Sequence, residues 1–116
     1  MNVTKFIRSF GYAFAGIRSS FSEQNFRSHC LSAIVVIIAA WWTGFTLIEW
    51  CVLLLVIGVM LALEMLNTAI ERVVDLASPD VHPLAKQAKD IAAGAVLVFA
   101  CISALIGALL FLPKWL

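Results

Sequence analysis

The chain has 116 residues, 63% hydrophobic and 13% charged, with a net charge of +1 and a mean hydropathy of +1.01. That is too apolar and too poor in charge for an ordinary water-soluble domain, and no nucleic-acid partner is expected. A single domain, 1–116, is all this length holds; three helices of one copy do not readily enclose a polar site, so an oligomer is expected.

The predicted fold is an all-α membrane protein, with an N-terminal interfacial amphipathic helix followed by three transmembrane helices. Residues 1–28 form the interfacial segment. Phe6, Ile7, Phe10, Phe14 and Ile17 recur at helical spacing, with Lys5, Arg8 and Arg18 among the polar positions. Such a helix can lie at the headgroup boundary, pack on other helices, or do both on different faces. It does not resemble a signal peptide, because Gly11 to Ile17 is short and Arg18 interrupts it. The N-terminus is expected to be retained.

Ser22 to His29 is polar and reads as a turn feeding a helix. Helices are then predicted over 29–48, 50–76 and 86–112, containing spans at about Cys30–Gly44, Trp50–Leu66 and Ile91–Leu112, with Pro113 as the last stop. Lys5, Arg8, Arg18 and Arg27 precede the first span, and Arg72, Lys86 and Lys89 lie between the second and third. The connection between the first and second spans carries no Lys or Arg. The positive-inside bias therefore puts the N-terminus in the cytoplasm and the C-terminus outside. Trp41, Trp42, Trp50 and Trp115 all fall at the outer end, the interface that indole rings favour. Cys30, Cys51 and Cys101 lie in or beside apolar runs without CxxC spacing and read as buried small hydrophobes.

Chemistry concentrates in the second helix. Glu64 interrupts an apolar run, and an ionisable group at the bilayer centre costs about 2.5–3.5 kcal/mol on insertion scales. At about 100° per residue, Glu64, Asn67, Glu71 and Asp75 share one face, with Glu64 and Glu71 about 10 Å apart along the axis. That separation rules out a shared-proton pair. A desolvated Glu64 suits a general base, and Glu71, nearer water, suits a hard cation such as Mg²⁺. The same stripe is compatible with an interhelical polar network or an ion pathway.

Lys86, Lys89 and Asp90 open the third helix, where lysines can meet a polyphosphate or simply anchor the helix at the surface. Gly94 and Gly107, among many alanines, supply small-residue faces for close helix contact. No Gly-rich phosphate loop is present, so a nucleotide would be held by helices and side chains. His29 and His82 stand isolated in the sequence, with weak ligand roles.

Glu64-Met65-Leu66-Asn67-Thr68-Ala69-Ile70-Glu71 with Asp75, followed by Lys89-Asp90 and Ala92-Ala93-Gly94-Ala95-Val96, resembles the signature of the small bacterial diacylglycerol kinase and undecaprenol kinase family. The resemblance extends over nearly the whole chain. It implies a homotrimer in the bacterial cytoplasmic membrane, with shared sites, that transfers the γ-phosphoryl group of ATP, with Mg²⁺, to a lipid alcohol at the cytoplasmic face. By matching position it implies Glu64 as base, Glu23 and Glu71 as metal ligands also touching ATP, and Asn67 as a positioning residue. Lys5, Tyr12, Asp80, Val81, His82, Lys89 and Asp90 would lie around ATP. Arg8, Arg18, Gln24, Asn25 and Ala93, with Glu64 and Asn67, would lie around the lipid. Glu23-Gln24-Asn25-Phe26 with His29, and His82-Pro83-Leu84-Ala85-Lys86, look more like the undecaprenol branch, with diacylglycerol as the alternative substrate.

Overall fold

The computed structural model describes residues 1–116 as four helices and no strand: α1 Val3–Ser20, α2 Gln24–Thr43, α3 Leu47–Ala77 and α4 Pro83–Trp115. Each boundary has a local cause. The Asn2 side chain accepts from the Lys5 amide and caps α1. After Ser20 the amides of Phe21, Ser22 and Glu23 donate to the carbonyls of Arg18, Ser19 and Ser20. The break between α1 and α2 is thus a three-residue turn, braced by Arg27 Nη1 on the Phe21 carbonyl at 2.7 Å and by Phe21 edge-on to buried Phe26.

The helix therefore begins at Gln24 rather than 29. Hydropathy reports membrane depth, and a polar helical turn at headgroup depth keeps its backbone bonds while its side chains reach water. The far end of α2 stops at Thr43 rather than 48. Gly44 takes a left-handed conformation at φ 86, and the Gly44 and Phe45 amides both donate to the Ala40 carbonyl, at 3.0 and 3.3 Å. Helix α3 then starts at Leu47 rather than 50 through a reciprocal cap. Thr46 Oγ1 accepts from the Glu49 amide, and Glu49 Oε1 accepts from the Thr46 amide.

Helix α4 starts at Pro83 rather than 86, because His82 Nδ1 accepts from the Leu84 amide and proline suits the first helical position. It also passes Pro113, the expected stop, and ends at Trp115. In the last turn a missing proline N–H removes one bond, while the Leu116 amide still reaches the Leu112 carbonyl at 2.9 Å.

Helices α2, α3 and α4 are all long and apolar enough to cross a membrane. The 20 residues of α2 extend about 30 Å, the thickness of the hydrocarbon core, whereas the 31 residues of α3 extend about 46 Å. The excess of α3 lies at its C-terminal end, which carries the polar stripe.

Helix α3 packs mainly on α4 and secondarily on α2. At the tryptophan-rich end, Ala40, Phe45, Leu53 and Phe111 form a small core, with the Phe45 and Phe111 rings 4.7 Å apart. Lys114 Nζ meets Glu49 Oε1 at 2.9 Å, and Trp115 Nε1 donates to Thr43 Oγ1 at 3.0 Å, so the ends of all three helices are tied together. Only 11 of 116 residues are buried, leaving long aliphatic rows facing outward, as a lipid solvent permits. Cys51 and Cys101 belong to that outward surface and Cys30 is only partly covered, contrary to the expected burial. The lipid-facing surface of a spanning helix is as apolar as its interior, so hydropathy does not distinguish the two. A Cβ built on Gly94 or Gly107 meets nothing within 4 Å, so these small-residue faces make no close approach within the chain.

At the opposite end, Arg72 of α3 ties down the α1–α2 turn. Its guanidinium donates to Ser19 Oγ at 2.7 Å and Ser22 Oγ at 3.2 Å and lies 3.6 Å from Glu23 Oε1.

Gly44→Ala should lower the thermal midpoint in detergent by an amount equivalent to about 1 kcal/mol, the cost of a left-handed alanine, since its methyl group meets no neighbour; an unchanged midpoint would show that the turn relaxes to another conformation. Arg72→Ala should speed hydrogen exchange several-fold at the amides of Phe21 to Glu23 while leaving α3 protected. Equal exchange in both proteins would mean the turn holds itself.

Candidate active site

The polar stripe of α3 becomes a graded site in the folded chain. Glu64 is 2% exposed and Asn67 7% exposed, with Thr68 also buried beside them. One turn further Glu71 is half-buried, and Asp75 is exposed. A single face therefore passes from enclosed carboxylate to solvent over about three turns.

Each member has a distinct partner. Glu64 Oε2 lies 3.4 Å from His29 Nε2 of α2, so His29, isolated in sequence, is brought against the stripe. Asn67 Nδ2 donates to Glu71 Oε1 at 3.2 Å, and Asn67 Oδ1 is buried without a hydrogen-bond partner. Asp75 pairs with Lys89 across α3 and α4. Within α4, Lys86 meets Asp90 at 2.6 Å. These lysines precede the apolar run that begins at Ile91. The hydrogen bond that Lys86 donates to the Asp90 carboxylate holds the lysine above its ordinary pKa, and the one that Lys89 donates to Asp75 does the same there. Both stay fully cationic at neutral pH.

Around them the α3–α4 loop borders an open depression of about 330 Å³, lined by Asp75, Asp80, Val81, His82, Lys86 and Lys89 among others. Of the residues expected around ATP, it brings together Asp80, Val81, His82 and Lys89, and not Lys5, Tyr12, Glu23, Glu71 or Asp90. His82 reaches it while its Nδ1 caps α4. A second, apolar groove of about 470 Å³ runs between α2, α3 and α4, with His29 among its lining residues.

Other expected residues are not gathered by one chain. Lys5, Arg8, Tyr12 and Arg18 are exposed on α1, as are Gln24 and Asn25 at the start of α2 and Ala93 on α4. No three His, Cys, Asp or Glu side chains assemble as a metal site. The donor chemistry nevertheless suits Mg²⁺, which is commonly held by one or two carboxylates plus phosphate oxygens. Half-buried Glu71 and the partnerless Asn67 Oδ1 supply hard oxygen donors on one face, and Glu23 supplies another beside Arg72. The contact that sequence reasoning missed is that of His29 with Glu64. A histidine five residues into a membrane helix carries no spacing signal, and only the packing of α2 on α3 reveals its neighbour.

Comparison with known proteins shows the family. The chain is 50% identical to an undecaprenol kinase of Bacillus subtilis over 97% of its length and 92% of that protein. It is 46% identical to a diacylglycerol kinase of Synechocystis over 93% of its length, spanning 63% of that relative. With a diacylglycerol kinase of Haemophilus influenzae the identity is 34% over 94% of each chain. The model of the prokaryotic diacylglycerol kinase family matches residues 11–111, which include the whole stripe, both lysines of the inter-helix cluster and His29: the chain belongs to that family.

Proposed function

We propose that this chain phosphorylates undecaprenol to undecaprenyl phosphate with ATP, Glu64 serving as the general base. It is a lipid kinase, and the observation that carries the assignment is the buried Glu64 heading a face that continues through Asn67 and Glu71 to solvent, in a chain half identical to an undecaprenol kinase. Diacylglycerol is the alternative acceptor, supported by the diacylglycerol kinases among the relatives.

In the reaction the lipid hydroxyl oxygen attacks the γ-phosphorus, the bond from that phosphorus to the β–γ bridging oxygen breaks, and ADP leaves. Glu64 takes the hydroxyl proton. Its low exposure keeps water, a competing acceptor, from the carboxylate. Asn67 holds Glu71 in place through its amide and keeps one acceptor oxygen free. Mg²⁺, held by Glu23 and Glu71, would neutralise charge on the transferred phosphoryl group. Lys5, Tyr12, Lys89, Asp90 and the loop Asp80–Val81–His82 surround ATP, and Arg8, Arg18, Gln24, Asn25 and Ala93 attend the lipid.

The dispersal of these residues over one protomer supports a homotrimer, in which a neighbour's α1 completes the site. The proposed site lies at the cytoplasmic face of the bacterial inner membrane, a reading supported by the Lys and Arg residues that gather at this end. In that arrangement α1 lies along the interface, Lys and Arg stay inside, and the tryptophan-rich end and C-terminus are outside.

Glu64→Gln should preserve folding and assembly and reduce lipid phosphorylation by about 10²-fold or more, the usual contribution of a positioned base; near wild-type turnover in a purified kinase assay would remove the base assignment. Glu71→Gln should raise the Mg²⁺ concentration needed for half-maximal rate, and an unchanged metal titration would make Glu71 a structural carboxylate. Undecaprenol and diacylglycerol compared in one assay should give the higher kcat/KM for undecaprenol. No phosphorylated product from either alcohol, together with ion flux across liposomes, would overturn the kinase assignment.

A further inference from the structure

We infer that His29 is a positioning residue for Glu64: its Nε2 holds carboxylate oxygen Oε2, leaving the other oxygen to take the lipid hydroxyl proton. The inference rests on Glu64 being the base. Two observations beyond that assignment carry it.

The first is the partnership itself. The Glu64 side chain is 3% exposed, and the one basic side chain within 4 Å of its carboxylate is the His29 imidazole at 3.4 Å, from a side chain 28% exposed. Of the other basic side chains on this end of the bundle, Arg72 pairs with Glu23, Lys86 with Asp90 and Lys89 with Asp75, Arg27 donates to the Phe21 carbonyl, and Lys5, Arg8 and Arg18 are exposed on α1. A carboxylate enclosed among apolar side chains and left without a donor is strongly destabilised and free to rotate. His29 is the group placed to orient it. No hydrogen bond joins the two side chains at this 3.4 Å separation, and catalytic hydrogen bonds are often long or poorly aligned before reactants bind.

The second is where the imidazole sits. His29 lines the apolar groove between α2, α3 and α4, together with residues such as Ser32, Leu53, Met60 and Phe111. It is the only titratable side chain to do so, and Glu64 does not line the groove. The imidazole thus stands between an apolar channel and the enclosed carboxylate. One side chain of α2 thus touches both the groove and the acid. Helix α2 offers Glu64 no other charged partner from this groove, since the rest of its lining there, Ser32, Ala33 and Val36, is neutral.

The experiment compares purified His29→Leu, His29→Gln and Glu64→Gln with wild type, measuring kcat and the KM for ATP with undecaprenol as acceptor. His29→Leu, similar in bulk but without a donor, should lose about 10- to 100-fold in kcat, the range seen when an orienting partner is removed, with KM for ATP changed less than about twofold. Glutamine places an amide N–H at the reach of Nε2, so His29→Gln should recover most of that loss. The ¹⁵N resonance of His29 Nε2 should shift between wild type and Glu64→Gln, while that of His82, the other histidine of the chain, stays in place. Wild-type turnover in His29→Leu, an equal loss in the leucine and glutamine variants, or an unmoved His29 resonance would each overturn the positioning role. If Glu64→Gln itself turns over normally, the base assignment fails instead, and the two failures are told apart by that variant alone.

Discussion

An ionisable carboxylate in an apolar helix has to be enclosed and partnered, and the arrangement around Glu64 meets that constraint. Helix α2 presents His29 to it, and Asn67 and Thr68 are buried on the same side of α3. The cost of a charge at this depth exceeds that of most single contacts in the molecule, so the polar end of the bundle is organised around the face on which the carboxylate lies. Further along that face, Lys89 of α4 pairs with Asp75, and Arg72 pins the turn that leads into α2. Helices α1, α2 and α4 are thus all joined to the C-terminal part of α3.

The opposite end is held by different physics. There the helices are joined by a small aromatic core, a left-handed glycine, a reciprocal threonine–glutamate cap and the Lys114–Glu49 pair. The tryptophan end thereby fixes how the three spans register against one another, and through that register it sets which residue of α2 stands opposite Glu64. A shift of α2 by one residue along its axis would turn His29 about 100° away from α3. Rigidity at one end therefore serves geometry at the other.

With so little of the chain buried, most of its apolar area faces outward, and helix association in lipid depends on close packing rather than on exclusion of water. The open faces at Gly94 and Gly107 and the detached cationic side chains of α1 are features that the proposed trimer would use: the first for contact between copies, the second to complete a site to which one chain contributes only part.

Periodicity and apolar run length sufficed for the three spans and for the face shared by Glu64, Asn67, Glu71 and Asp75, since a helix repeats about every 3.6 residues whatever surrounds it. They did not suffice for helix ends. Capping depends on single hydrogen bonds, such as those of Thr46, Glu49 and His82, that hydropathy does not register, and Pro113 proved compatible with a final helical turn. Nor did composition distinguish inward from outward cysteines. The pairings of Glu64 with His29, of Asp75 with Lys89 and of Arg72 with Glu23 join residues far apart in the chain. Local pattern is a property of one helix, whereas these contacts depend on the rotation and register of two helices at once. The chain's covalent order accordingly settled that a carboxylate would stand on the second span, and only the packing of the helices decided which side chain would face it.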